Sequence, residues 1–139
     1  MTELLEIYEQ YYRACADARS KASPFAGVWG MGEDPKLAQC HDAFYEGVQA
    51  WVQRFEAAGP DENAVSQAVR HILGAALDHR GEDVYWYLYA AHGLTLSLIP
   101  RLSPGDREAL WQWYDVSYPK RDRLPVQQQV WKLLKKGGK

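Results

Sequence analysis

From residue 84 to residue 100 the chain reads VYWYLYAAHGLTLSLIP, a run without a single Lys, Arg, Asp or Glu. So long an uncharged stretch has to be enclosed, and the rest of the chain must supply its surroundings. Two secondary structures compete for it. The alternation in Leu94-Thr95-Leu96-Ser97-Leu98 and the β-favouring Val84, Tyr85, Trp86 and Tyr87 suggest a strand. Against a strand stand Ala90-Ala91 in mid-run and a length beyond that of a common strand. Gly81 can end a preceding helix, Asp83 can cap a new one, and Pro100 stops it. The pattern therefore predicts a helix over about 83–98, roughly 24 Å long at about 1.5 Å per residue. It is apolar on nearly every side, as the centre of a bundle is. A transmembrane span is the rival, but His92, Gly93, Thr95 and Ser97 interrupt a run already shorter than a membrane usually needs.

Other helices are marked by spacing and punctuation. Leu4, Tyr8, Tyr11, Cys15, Ala18 and Ala22 recur at four-three spacing after Thr2, with Leu5, Ile7 and Tyr12 widening the stripe. A second helix opens at Asp34-Pro35 and carries Leu37, His41, Phe44, Val48, Trp51, Phe55 and Ala58 before Gly59-Pro60. Asp61 caps a third, with Val65, Val69, Ile72, Ala76 and His79 as its seam. Ser103-Pro104-Gly105-Asp106 opens a fifth that runs to about residue 117. Pro125 opens a short last helix with Val126, Val130, Leu133 and Leu134 on one side. The expected fold is all-α: a four-helix core bundle around the central apolar helix, with two further C-terminal helices, in one domain of 139 residues.

Charge divides this chain unevenly. Residues 1–100 hold seven Lys/Arg against fourteen Asp/Glu, a net of −7; residues 101–139 hold nine against four, a net of +5. An acidic body of about 2–99 thus precedes a basic segment of about 101–139. Glu3, Glu6 and Glu9 are the wrong charge for a signal-peptide start, and Cys15 and Cys40 do not make a disulfide framework. A cytoplasmic protein with reduced thiols is the expectation.

Catalytic chemistry finds little support. Residues 23–33, SPFAGVWGMGE, form a glycine-rich loop, but it lacks the Gly-Lys-Ser/Thr of a phosphate loop and the dinucleotide fingerprint. Its Phe25, Trp29 and Met31 either plug one end of the bundle or face a partner. Cys40, His41 and Asp42 are adjacent on a helix, so they diverge by about 100° each and cannot converge on one metal. His71 and His79 are two turns apart, too far to chelate one ion alone. His41 falls on a buried stripe, as a core histidine would. His92 reads as a buried neutral imidazole bonded to a Tyr hydroxyl; the sharper alternative is a general base in a pocket of Tyr85, Tyr89 and a loop aromatic. No nucleophile or carboxylate stands at useful spacing, and no cofactor is implied.

What remains is recognition. Eighteen aromatic residues, six of them Trp, exceed what folding needs. We expect a small non-enzymatic helical protein acting through protein–protein contact, a profile that fits an accessory or inhibitory protein of a mobile element. The candidate contact residues are Phe25, Trp29, Met31, Trp111, Lys120, Arg121, Arg123, Trp131 and Lys132. The alternative is a nucleic-acid-binding module on 101–139, where basic side chains would track phosphates and Trp111, Trp113, Tyr118 and Trp131 would stack on bases. A metal or small-ligand site around His41 or His92 comes third, and homodimerisation through exposed Trp is a further expectation.

Overall fold

The computed structural model describes residues 1–20 and 35–136, so Phe25, Trp29 and Met31 lie outside the described residues. The protein is all-α. Its helices are α1 (Thr2–Ser20), α2 (Pro35–Ala57), α3 (Glu62–Gly74), α4 (Val84–Ala90), α5 (Pro104–Ser117) and α6 (Pro125–Lys136), with short 3₁₀ segments between them and no strand among the described residues. None of these helices is long and apolar enough to cross a membrane. The chain divides into two compact units, Met1–Trp51 and Val52–Lys139.

In the first unit the four-three stripe of α1 is the buried one: Leu4, Tyr8, Tyr11, Cys15 and Ala18 are all enclosed. Leu5, expected to widen that stripe, is 45 % exposed instead. From α2, His41, Phe44, Val48 and Trp51 are buried. Tyr11 stacks on Phe44 at 4.2 Å between ring centroids, and Tyr8 meets the same ring edge-on at 5.0 Å. The Tyr11 hydroxyl and His41 Nδ1 are 2.7 Å apart. His41 is thus a core histidine with a hydrogen-bond partner.

The second unit follows the predicted punctuation. Asp61 Oδ1 accepts the Ala64 N–H at 2.8 Å and Ser103 Oγ accepts the Asp106 N–H at 3.2 Å, so two of the three caps expected in this unit form. Gly81, at φ +86°, makes the turn that ends the helical run before α4. Asp83, by contrast, has helical φ and ψ and makes no capping bond with its side chain.

The uncharged run differs from the single α-helix over 83–98. It is α-helical only through Ala90, then tightens to 3₁₀ over Ala91–Thr95, turns, and adds a last 3₁₀ segment at Ile99–Arg101. The third helix does the same, giving way to 3₁₀ at Ala75–His79. A carbonyl that leaves the α register needs a new donor. Gln127 Nε2 donates to the Tyr89 carbonyl at 2.7 Å, the Tyr118 hydroxyl donates to the Leu73 carbonyl, and Thr95 Oγ1 donates to the His92 carbonyl at 2.7 Å. Side chains from the C-terminal segment therefore fasten two of these sites. Burial explains the rest: Val84, Leu88, Tyr89, Ala91, His92, Thr95, Leu98 and Ile99 are all enclosed. The 91–95 segment packs against both α3 and α6. At Gly93 the approach of α6 is so close that a Cβ would lie 2.9 Å from Val126 Cγ2.

Candidate functional site

The sequence placed two histidines as chemistry-bearing candidates, and His92 is the better enclosed of them. It is 0 % exposed and ringed by Tyr89, Tyr118 and Tyr114, at 5.1, 5.0 and 5.7 Å between centroids. Nδ1 lies 3.0 Å from the Tyr114 hydroxyl, while Nε2 has no well-formed hydrogen bond among the described residues. Burial holds the imidazole neutral, lowering its pKa to about 3, against a weaker opposing pull from the Leu73 carbonyl. Burial likewise pushes the Tyr89 hydroxyl up to about 12 and raises those of Tyr114 and Tyr118. Every group in this cluster is neutral near pH 7, and the His92 imidazole is fully enclosed. A general base needs contact with its substrate. The cluster is a polar core with aromatic walls.

No three His, Cys, Asp or Glu residues come together as a metal site among the described residues. His79 meets Glu82 at 3.1 Å near the surface, and burial lowers the pKa of His71.

The basic, aromatic C-terminal residues divide into two groups. Arg123 is turned inward, its side chain 3 % exposed. It donates to the Tyr118 carbonyl at 2.8 Å, to Gln128 at 3.3 Å and to Asp115 Oδ1 at 3.0 Å. Trp131 lies between the Arg123 guanidinium at 5.1 Å and the Lys135 ammonium at 4.9 Å, and its N–H donates to the same Asp115 oxygen at 2.9 Å. Those bonds, that from Trp131 foremost, hold the Asp115 carboxyl below its ordinary range. Trp111 is half-buried with its ring 6.0 Å from that of Trp131. Trp113 lies beneath Arg70 at 4.1 Å and covers Gly74. Lys120, Arg121 and Lys132, in contrast, reach solvent.

A different tryptophan stands free. Trp86 of α4 is 61 % exposed, the most exposed aromatic side chain among the described residues. Its ring is braced edge-on by Tyr85 at 5.2 Å and by Tyr89 at 6.2 Å, which are themselves stacked at 5.5 Å. Tyr85 also lines a cleft of about 230 Å³ with Arg80, Tyr118, Pro119 and Asp122. The Tyr89 hydroxyl donates to the Asp122 carbonyl at 2.9 Å, tying the 120–122 turn to α4. Expecting α4 to be apolar all round hid this residue. The signal was present, since Trp86 lies three and four residues after Asp83 and Glu82, on the charged face, whereas Val84, Leu88 and Ala91 form the buried one.

A larger hollow of about 460 Å³ in the first unit is lined mainly by apolar side chains, among them Ile7, Tyr11, Ala14, Cys40 and Phe44. Gln10, Asp17, Lys36 and Gln39 stand among its lining as well. Comparison with known proteins adds nothing to this geometry: no family model, no curated protein and no solved structure matches the chain.

Proposed function

We propose that this is a non-enzymatic helical protein that acts by binding another protein, through a surface centred on Trp86 and the adjoining 120–122 turn. The observation that carries the reading is the exposure of Trp86 on a braced aromatic base. Tryptophan is the typical anchor of a protein interface, because one rigid ring removes roughly 150–250 Å² from water at small entropic cost. The closed His92 cluster supports a binding rather than a catalytic role. Lys120, Arg121 and Lys132 keep the nucleic-acid alternative in view, but Trp111 and Trp131, the rings it would stack on bases, are half-buried and engaged with neighbours.

The test is a nuclease-treated pull-down from the native lysate with the parent protein and Trp86→Ala, alongside titration with single- and double-stranded oligonucleotides across salt. We expect a protein captured by the parent and lost with Trp86→Ala, and no oligonucleotide binding. Identical capture by both proteins would remove the Trp86 surface. Oligonucleotide binding that falls steeply with salt and disappears on neutralising Arg121 and Lys132 would replace this reading with the nucleic-acid one.

A further inference from the structure

The proposed interface carries a second element beside Trp86, and it suggests what the partner brings. Arg80 leaves the 3₁₀ segment in an extended conformation, immediately before the positive-φ Gly81. One guanidinium nitrogen donates to the Ser117 carbonyl, and the group lies 5.9 Å from the Tyr118 ring centroid. The side chain is thus oriented, yet it has no carboxylate partner among the described residues. Of the nearby acids, Glu82 meets His79 at 3.1 Å, whereas Asp122 itself lines the cleft, its side chain 59 % exposed and 3.9 Å from Arg121 Nε. Tyr85 lines the same cleft, and its phenol, protonated near neutral pH, adds a hydrogen-bond donor. Lys120 and Arg121, which lie in sequence between the cleft residues Pro119 and Asp122, are both exposed, the latter 86 %.

We infer that the Arg80–Tyr85 cleft receives an acidic side chain of a protein partner, while an apolar side chain close to it in the partner's sequence covers Trp86. This rests on the Trp86 surface being the interface. Charge complementarity selects the occupant: an oriented guanidinium with N–H groups left over recognises a carboxylate through paired hydrogen bonds. A cleft of about 230 Å³ admits one side chain rather than a strand of nucleic acid. The exposed Lys120 and Arg121 of the adjoining turn raise the encounter rate with an acidic segment and make it sensitive to salt.

The experiment is selection of short random peptides displayed against the intact protein, followed by synthesis of the enriched sequences and fluorescence-anisotropy titration. Enriched peptides are expected to hold Asp or Glu within a few residues of Leu, Ile, Phe or Trp. Changing that acid to its amide should weaken binding about tenfold or more, the scale of a charge-assisted pair. Arg80→Gln should abolish this difference between acid and amide, Arg80→Lys should keep part of it, and Trp86→Ala should remove binding altogether. Circular dichroism confirms that each variant folds, and Arg80→Lys carries the comparison if Arg80→Gln does not.

Peptides lost with Trp86→Ala but indifferent to the acid would overturn the acidic occupant and leave the Trp86 interface standing. Peptides indifferent to Trp86→Ala, or no enriched peptide at all, would overturn both. Self-association in sedimentation that is abolished by Trp86→Ala would make a second copy the occupant and also overturn the inference.

Discussion

The buried imidazole at the centre of the second unit makes acid sensitivity a calculable property. His92 has a pKa of about 3 in the folded protein against 6.5 for the free side chain. The unfolded chain therefore binds the proton first. Stability from this residue is complete above about pH 6.5 and declines as pH falls toward the folded value, with a slope near 1.4 kcal/mol per pH unit. Between pH 6.5 and about pH 4 that amounts to roughly 3 kcal/mol. The reference protein is His92→Leu/Tyr114→Phe, which removes both polar partners of the 3.0 Å contact and leaves neither group unpaired. Urea denaturation of both proteins at a series of pH values gives the assay, read as the difference between them. Carboxylates such as Asp115, and the other histidines, titrate in both and cancel. The parent should lose the stated stability relative to the double variant as the solution is acidified. Parallel pH profiles would show that His92 is not held neutral by burial, and the closed aromatic cluster would have to be redrawn.

Three further perturbations test the packing. Leu88→Ala, at a side chain with 0 % exposure, should cost about 2–5 kcal/mol in chemical denaturation through the cavity it leaves, and a loss well under about 1 kcal/mol would place α4 at the periphery. Gly93→Ala puts a methyl group 2.9 Å from Val126 Cγ2, so α6 must shift; a destabilisation of about 1–3 kcal/mol is expected, and an unchanged melting temperature would show that α6 does not close on this segment. Arg123→Gln should cost about 1–3 kcal/mol because the Tyr118 carbonyl loses its side-chain donor and Asp115 keeps only that from Trp131, whereas Arg121→Gln, 86 % exposed, should change stability by less than about 0.5 kcal/mol; equal effects would contradict the inward placement of Arg123.

The helical class was legible because it depends on local signals. Asp61 and Ser103 cap where their sequence context says they should, and the α1 stripe from Leu4 to Ala18 is the buried one. The tightening to 3₁₀ at Ala75 and Ala91 was not legible. Each site depends on a hydrogen bond from a side chain distant in the chain, Tyr118 to Leu73 and Gln127 to Tyr89, and periodicity carries no information about such a donor. Gly93 gave no local warning either, since its reason is the close passage of Val126. The candidate contact residues show a similar division. Composition could find the concentration of basic and aromatic residues at 101–139, but not which of them face inward.

That last distinction carries a physical lesson about the C-terminal segment. Arg and Trp favour one another as strongly within a fold as across an interface, because a guanidinium stacks on an indole while its stem remains apolar. Arg123, Trp131, Lys135 and Asp115 form such a cluster within the fold, at its surface except for the inward Arg123, with one carboxylate accepting from both Arg123 and Trp131. Arg123 also caps the Tyr118 carbonyl, and Tyr118 in turn holds Leu73, so the cluster is joined by hydrogen bonds to the carbonyl that α3 releases at its end. Arg123 and the aromatic residues of this segment are therefore accounted for by attachment of α5 and α6 to the uncharged core, while Lys120, Arg121 and Lys132 are not. Once those side chains are assigned to the fold, the positive charges still offered to solvent include Arg80 in the cleft, Lys120 and Arg121 in the adjoining turn, Arg101, and Lys132, Lys135 and Lys136 on α6. Recognition is best sought where an exposed cation lies next to an exposed ring, and the cleft beside α4 meets that condition.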